Sequence, residues 1–325
     1  IVVYAGAAGM VLEPTPGNET SEILAAIDRL AAGGSTAGSA GIELAYQVAK
    51  ENFSPEANNR VLLATDGDFN VGPSSEGELI RLIEEKRKDG IFLTVLGLGT
   101  GNYQDAKMEQ LANKGNGNYA YLDSLQEARK ALVTEMGGTL VAIAKDVKLQ
   151  IEFNPAVVKG YRLLGYENRL LRAQDFNDDR KDAGELGAGH SIVALYELIP
   201  AESSEALPGV DPLKYQQPAV VPSEDLLTLK LRYKQPDGET SQLLQQAIQR
   251  DEIWQRDPSE SLQFASAVAE FGLLLRDSEH KANANYDAVL TRANQARGDD
   301  PHGYRAEFLD LVEKAKTLSD RKQDL

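Results

Sequence analysis

The five residues Val61-Leu62-Leu63-Ala64-Thr65 run straight into Asp66-Gly67-Asp68-Phe69-Asn70. A buried strand that delivers carboxylates to its carboxyl end is placed for metal or phosphoryl chemistry. The Asp66-x-Asp68 pair has the strand-end spacing of an aspartate-nucleophile phosphatase, in which one carboxylate attacks phosphorus and the other handles the proton. Such enzymes usually continue with Thr and an apolar residue, whereas Phe69 and Asn70 follow in this chain. The alternate positions Asp66, Asp68 and Asn70 also match the start of an EF-hand loop. Val71 stands where that loop needs Gly and Gly77 where it needs a bidentate Glu, so an EF-hand is excluded and a looser calcium loop stays open.

Other segments carry weaker chemical signals. Gly97-Leu-Gly-Thr-Gly-Asn102 follows a strand-like run, but Asn102 occupies the third glycine position of a dinucleotide fingerprint. No Walker A sequence is present, which argues against ATP hydrolysis. The segment around Ser39 imitates a nucleophile elbow with Ala37 in place of Gly, and its placement suits a helix start better. Two loops taken together offer one more possibility. Thr36, after Ser35, presents a hydroxyl just before a helix, and Asp66 presents a carboxylate at a strand end. One hydroxyl and one carboxylate leave a hard cation short of its about six oxygen ligands, able to take a further carboxylate from a partner. On spacing alone the plainer reading, Thr36 as a helix cap and Asp66 as a strand end, stands slightly ahead.

The elements that must position these residues alternate. Strands are expected over Ile1–Gly6, Arg60–Gly67, Ile91–Asn102 and Asn118–Ser124, with Gly9–Thr15 turning back on the first. Helices are expected over Ile23–Gly34, Gly38–Phe53, Glu76–Gly90, Asp105–Gly117 and Leu125–Gly138, several closing on glycine. The alternation calls for a doubly wound, mostly parallel α/β sheet with ligand-facing loops at the strand carboxyl ends. Beyond Ala144 the period shortens to that of strands: Val147, Leu149, Ile151 and Phe153 share one face of Asp146–Asn154. Strand-like runs follow over Val157–Glu167, His190–Pro200 and Asp225–Glu239, the last ending in a Pro-Asp-Gly turn. The acidic segment Gln174–Glu185 reads as a solvated hairpin loop, with a secondary cation or partner site as a weaker alternative. From Pro258 helical spacing returns over Leu262–Asp277, Tyr286–Gly298 and Gly303–Leu318. Three parts are therefore expected: residues 1–137 α/β, 145–250 antiparallel and sandwich-like, and 258–325 helical.

A length of 325 residues with 42% hydrophobic content provides ample core. Fifty acidic against 34 basic residues, net −16, opposes sequence-independent nucleic-acid binding. No apolar run approaches the roughly 18 residues of a membrane span. The absence of cysteine excludes thiolate chemistry and disulfides, and His190, His280 and His302 lack zinc-ligand spacing. The first residues, Ile1-Val2-Val3-Tyr4, read as the middle of a strand, so a fragment or processed chain is expected, with any targeting segment upstream.

The segments IVVYAG, LAAGGSTAGSAGIELAY, RVLLATDGDFNVG and IFLTVLGLGTGN, in this order and spacing over roughly the first 136 residues, resemble a von Willebrand factor type A domain. DVKLQIEFNPAVVKGYRLLGYENR, HSIVALYEL and GYRAEFLDLV look like the C-terminal region of bacterial YfbK-like proteins, which follows the type A domain in that family. The resemblance thus spans nearly the whole chain. It implies a non-enzymatic protein-interaction or adhesion module with a metal-ion-dependent adhesion site. Thr36 would correspond to the site's threonine and Asp66 to its later aspartate, with Ser35 and Asp68 in weaker supporting positions. The implied cofactor is Mg²⁺, or Mn²⁺ or Ca²⁺, and the implied partner is a protein offering a carboxylate. The Asp-x-Ser-x-Ser loop of that site does not occur in the chain, and neither does the central strand that carries it. Weak or no metal binding is therefore expected, together with a gap between the Ile1–Gly6 and Arg60–Gly67 strands. The resemblance also implies an extracytoplasmic location, periplasm or cell surface. Alternatives are the Asp66/Asp68 phosphatase and a scaffold subunit of a chaperone-like or chelatase-like ATPase complex.

Overall fold

The computed structural model describes residues 1–4, 9–31, 33, 38–67, 76–101, 103–165, 170–181, 183–205, 207, 223–236, 238–254 and 256–323. The chain divides into two compact units. One comprises Ile1–Lys148, Asn177–Ser191 and Arg232–Leu243; the other comprises Leu149–Phe176, Ile192–Leu231 and Leu244–Leu325.

At the amino end, β1 (Val2–Val3) and β2 (Gly9–Met10) pair antiparallel, Val2 facing Met10 and Val3 facing Gly9. Then come α1 (Thr20–Asp28), α2 (Gly38–Glu51), β3 (Arg60–Thr65), α3 (Glu76–Lys88), β4 (Phe92–Gly97), α4 (Asp105–Lys114) and β5 (Tyr119–Tyr121). The three later strands form a parallel sheet in the order β3-β4-β5. Thr65 faces Gly97 and Gly97 faces Tyr121, so three strand ends finish level. The central β4 is buried from Leu93 to Gly97, and its Leu93 and Val95 join Leu63 of β3 in one core with helices α2, α3 and α4. Each covering helix contributes residues a turn apart: Ile42 and Tyr46 on α2, Leu79 and Ile83 on α3, Met108, Leu111 and Ala112 on α4. Among the described residues β3 has only β4 as a strand neighbour, and the β1–β2 ribbon is a separate sheet. Among the described residues a side chain spans the expected gap: Tyr4 Oη donates to the Ala64 carbonyl at 2.6 Å.

Tyr46 tests how dry this core is. Its ring is fully buried, and its hydroxyl has no hydrogen-bond partner among the described residues. Burial pushes its ionisation above the ordinary tyrosine range. An orphaned buried hydroxyl costs about 1–3 kcal/mol in desolvation, which its removal returns. Tyr46→Phe is expected to leave stability unchanged or raise it by about 1 kcal/mol in urea unfolding, whereas a loss above that would reveal a partner for the hydroxyl.

The helix expected over Leu125–Gly138 is broken. α5 (Leu125–Arg129), with Ser124 Oγ accepting from the Glu127 amide at 3.2 Å, passes into a π-helical turn at Lys130–Thr134 and then α6 (Met136–Leu140). Gly137 and Gly138 are poor helix formers, and Leu125 and Val133 stay exposed at 91% and 69%, so no single apolar face holds the segment straight.

The remaining strands are β6 (Ala142–Phe153), β7 (Val158–Leu164), β8 (Gly184–Gly187), β9 (Leu195–Pro200), β10 (Asp225–Lys234) and β11 (Gln242–Gln249). They form a four-stranded sheet, β11-β10-β6-β8, and an antiparallel β7–β9 pair. Phe153, Val157, Val158 and Leu226 build one core, where the Phe153 ring meets Tyr161 at 4.5 Å and Tyr196 at 5.5 Å. The expected strand over His190–Pro200 starts only at Leu195, since Ile192 and Val193 remain about half exposed. After α7 (Arg250–Trp254), helices α8 (Glu260–Leu275), α9 (Tyr286–Gln295) and α10 (Tyr304–Gln323) pack around Ala267, Phe271, Val289, Ala293 and Val312. Ser259 caps α8 by accepting from the Leu262 amide at 3.2 Å, and Asn285 caps α9 by accepting from the Ala288 amide at 2.9 Å.

The acidic segment Gln174–Glu185 is not the solvated hairpin expected. A 3₁₀ turn over Ala173–Asn177 leads to two carbonyls that accept from buried lysines: Asp178 O from Lys148 Nζ at 2.6 Å, and Asp179 O from Lys234 Nζ at 2.7 Å. Lys234 Nζ also pairs with Asp146 Oδ2 at 2.6 Å. The strands β8 and β11 lie outside the runs that sequence periodicity marked.

Candidate functional site

Asp66 follows the carboxyl end of β3 and is itself exposed, held by main-chain bonds on both sides. The Thr65 carbonyl accepts from the Leu98 amide at 2.9 Å, and the Asp66 carbonyl accepts from the Gln104 amide at 3.1 Å. Thr65 Oγ1 is buried and accepts from the Gly67 amide at 3.1 Å. Gly67 has φ +83°, left-handed backbone that a side chain resists, and a Cβ there would lie 2.8 Å from Gln104 Cβ. These bonds bring Asp66 against the loop after β4. Asp66 Cβ lies 3.7 Å from where a Cβ on Gly99 would be.

Three phenols meet beside that loop. Tyr121 Oη donates to the Gly99 carbonyl at 2.9 Å, and Tyr119 Oη donates to Asp105 Oδ1 at 2.5 Å. The Tyr103 and Tyr119 hydroxyls touch each other, and the Tyr103 and Tyr121 rings meet edge to face at 4.7 Å. Gly97 makes room for them: a Cβ there would lie 2.0 Å from Tyr103 Oη. Burial, reinforced by the bonds to Asp105 and Tyr103, pushes Tyr119 above the ordinary phenol range. Burial likewise raises Tyr103, with the hydrogen bond to Tyr119 opposing and the Asp105 charge adding. Both stay protonated near neutral pH and serve as donors. Tyr4 is raised by burial, against its hydrogen bond with Thr65 and with the nearby Asp66 charge adding.

Asp66, the loop Leu98–Gly101, Tyr121, Asp105 and Asp123 are exposed, and no Lys or Arg falls within 97–101, 103–106 or 119–126. The strand ends therefore present carboxylates, phenol rings and loop backbone to solvent. This composition suits macromolecular recognition, in which tyrosine supplies rigid contact area and acidic groups set the sign of the partner. The tyrosine cluster was not among the site residues expected from sequence. Its one signal was Tyr119 and Tyr121, two apart on a strand and so on one face.

Of the sequence-derived site residues, the structure places Asp66; Thr36, Ser35 and Asp68 lie outside the described residues. Among the described residues no group of three or more His, Asp or Glu side chains comes close enough to hold a metal ion. Asp66 brings one carboxylate, and the adjacent Thr65 hydroxyl already accepts from a backbone amide. A hard cation asks for about six oxygens, so the described donors do not by themselves fit one.

Comparison with known proteins extends this picture. Residues 1–134 match the model for the von Willebrand factor type A domain, and residues 138–318 match the model described as "Uncharacterized protein YfbK, C-terminal". The chain is 44% identical to "Uncharacterized protein YfbK" of Escherichia coli (strain K12) over 327 residues, covering 99% of this chain. It spans 56% of that relative's length. A solved von Willebrand factor type A protein from Catenulispora acidiphila is similar at 16% identity, covering 92% of this chain and 70% of that one, with a TM-score of 0.43. Proximal thread matrix protein 1 from the mussel byssus, solved with its MIDAS motif occupied by zinc, is similar at 18% identity over 42% of this chain and 34% of its own, with a TM-score of 0.31. Neither structural likeness assigns a role to a residue of this chain.

Proposed function

Because the chain belongs to the YfbK family, with a von Willebrand factor type A domain followed by that family's C-terminal region, we propose that it is a non-enzymatic protein-interaction module whose recognition face lies at the carboxyl ends of β3, β4 and β5. The observation that carries this reading is the exposed Asp66 packed beside the Gly99 loop, on which the half-open ring of Tyr121 is anchored. A divalent cation at this face would draw on Thr36 and Asp66, with Ser35 and Asp68 in support, and would reach for a carboxylate on the partner. The described donors alone do not fit that ion, and recognition as proposed is not routed through it. An extracytoplasmic setting, periplasm or cell surface, is part of the same proposal, and cell fractionation with an antibody to the chain tests it.

The deciding experiment immobilises the chain, recovers bound protein from cell extract in Mg²⁺ or in EDTA, and re-expresses what is found to measure its affinity. Asp66→Ala and Tyr121→Ala are each expected to weaken binding at least tenfold, about 1.4 kcal/mol, while Lys50→Ala on a distant helix end leaves it unchanged. Equal affinity in all four proteins would remove the strand-end face from recognition. Calorimetric titration of Mn²⁺ into the chain and Asp66→Ala reads the cation separately. Hydrolysis of p-nitrophenyl phosphate that disappears in Asp66→Asn would replace the reading with the phosphatase one.

A further inference from the structure

Strand β11 is an edge of the four-stranded sheet among the described residues. Seven of its eight residues are exposed, including Leu243 at 45% and Leu244 at 55%, and Ile248 is half-buried. Edge strands are ordinarily guarded by lysine, proline or a bulge, because their free amides and carbonyls template pairing with another strand. The sequence of β11, Gln-Leu-Leu-Gln-Gln-Ala-Ile-Gln, contains no charge, no proline and no glycine. In a chain of net charge −16, that makes it a place where two copies can meet without opposing like charges.

Its pattern is also self-complementary. In a two-fold antiparallel pairing the axis runs between the strands, midway between one residue and its own copy, since facing pairs alternate between bonded and non-bonded types. With the axis at Gln246, Leu244 faces Ile248 of the second copy on one side of the sheet, and glutamine faces glutamine between them. On the other side Gln245 faces Ala247 and Leu243 faces Gln249. Arg250, just beyond the strand, meets the uncharged Gln242. With the axis at Gln245 both leucine–isoleucine contacts are lost, because Leu244 then meets Gln246 and Ile248 meets Gln242.

We propose that two copies of the chain join β11 to β11 in antiparallel fashion, centred on Gln246, and so continue one sheet across a two-fold axis. The chain has no cysteine, so an introduced thiol reports alone. Under mild oxidation Gln246→Cys is expected to form a covalent dimer at least tenfold faster than Gln245→Cys. Sedimentation equilibrium of the unmodified chain is expected to give twice the chain mass at micromolar concentration. Gln246→Lys, which sets two ammonium groups face to face, is expected to shift it to monomer with an unchanged circular dichroism spectrum. A monomeric unmodified chain, or a dimer that persists in Gln246→Lys, overturns the proposal. Because Gln246 is exposed, the cysteine variant reads the interface without challenging the fold.

Discussion

Lys234→Met is expected to cost about 3–5 kcal/mol, the usual penalty for removing one partner of a buried ion pair, or on the order of 10 °C in thermal midpoint. The Lys234 side chain is 7% exposed and that of Asp146 is 14% exposed, with 2.6 Å between Nζ and Oδ2. Nζ donates also to the Asp179 carbonyl at 2.7 Å. Methionine fills the aliphatic volume but, among the described residues, leaves the Asp146 carboxylate with only the Ala183 amide, at 3.1 Å, as a donor. Asp146 itself sits at φ +52°, left-handed backbone that an aspartate tolerates better than most residues and that the pair helps to hold. Lys234→Met combined with Asp146→Asn should recover a good part of the loss, because the stranded charge is then gone. The pH dependence has a definite sign. Burial works to lower the Lys234 pKa, but its hydrogen bond to Asp146 and the charges of Asp146, Asp179 and Glu239 outweigh burial, and the pKa is raised. A raised lysine pKa gives stability that is complete below the unfolded value of about 10.4 and lost as pH climbs through the folded value. The gap between native chain and Lys234→Met should therefore hold across neutral pH and close in strong alkali. A gap under about 1 kcal/mol at pH 7 would show the pair to be solvated.

The same lysine marks where sequence reading reached its limit. Patterns of side-chain type report burial, so the elements with a buried face were legible: β4 shows as a continuous apolar run, and α2, α3 and α4 show through residues a turn apart. The acidic segment before β8 was read as solvated because its carboxylates dominate its composition. Its carbonyls at Asp178 and Asp179 take the buried lysines, and carbonyls are the same in every residue; the Asp179 carboxylate accepts from the Ser241 amide, 62 residues away, which local composition does not reveal. β11 escaped notice for the opposite reason. Exposed along nearly its whole length, it has no face to alternate toward, so its glutamines and leucines follow no period of two. At the candidate site Asp66 was legible from its position at the end of an apolar run. The phenol cluster was not, because Tyr103 comes from the loop after β4 while Tyr119 and Tyr121 come from β5, and only the parallel register brings them together.

That register rests on Gly117, and Gly117→Ala is expected to destabilise the chain by about 3 kcal/mol or more. A Cβ at this position would stand 1.8 Å from the Leu93 carbonyl oxygen, 2.5 Å from its carbon and 3.0 Å from the Thr94 nitrogen. All three are main-chain atoms of β4, so no change of rotamer relieves the clash. The segment has no slack either. The Leu93 amide donates to Gly115 O at 2.9 Å, the Val95 amide donates to Asn118 O at 2.9 Å, and the Gly117 amide donates to Ala112 O at 3.0 Å. The added methyl must push β5 away from β4, and Tyr119 and Tyr121 move with it. Partner recognition at the strand ends should therefore weaken along with stability. Gly272→Ala supplies the contrast. It lies inside α8 with nothing within 4 Å of the new Cβ, so alanine's helix preference acts alone and about 0.5–1 kcal/mol is gained. Urea unfolding of the two variants should give opposite signs for one chemical change. If Gly117→Ala loses less than about 1 kcal/mol, β4 and β5 can separate cheaply, and the phenol cluster is held by its own hydrogen bonds and not by the sheet.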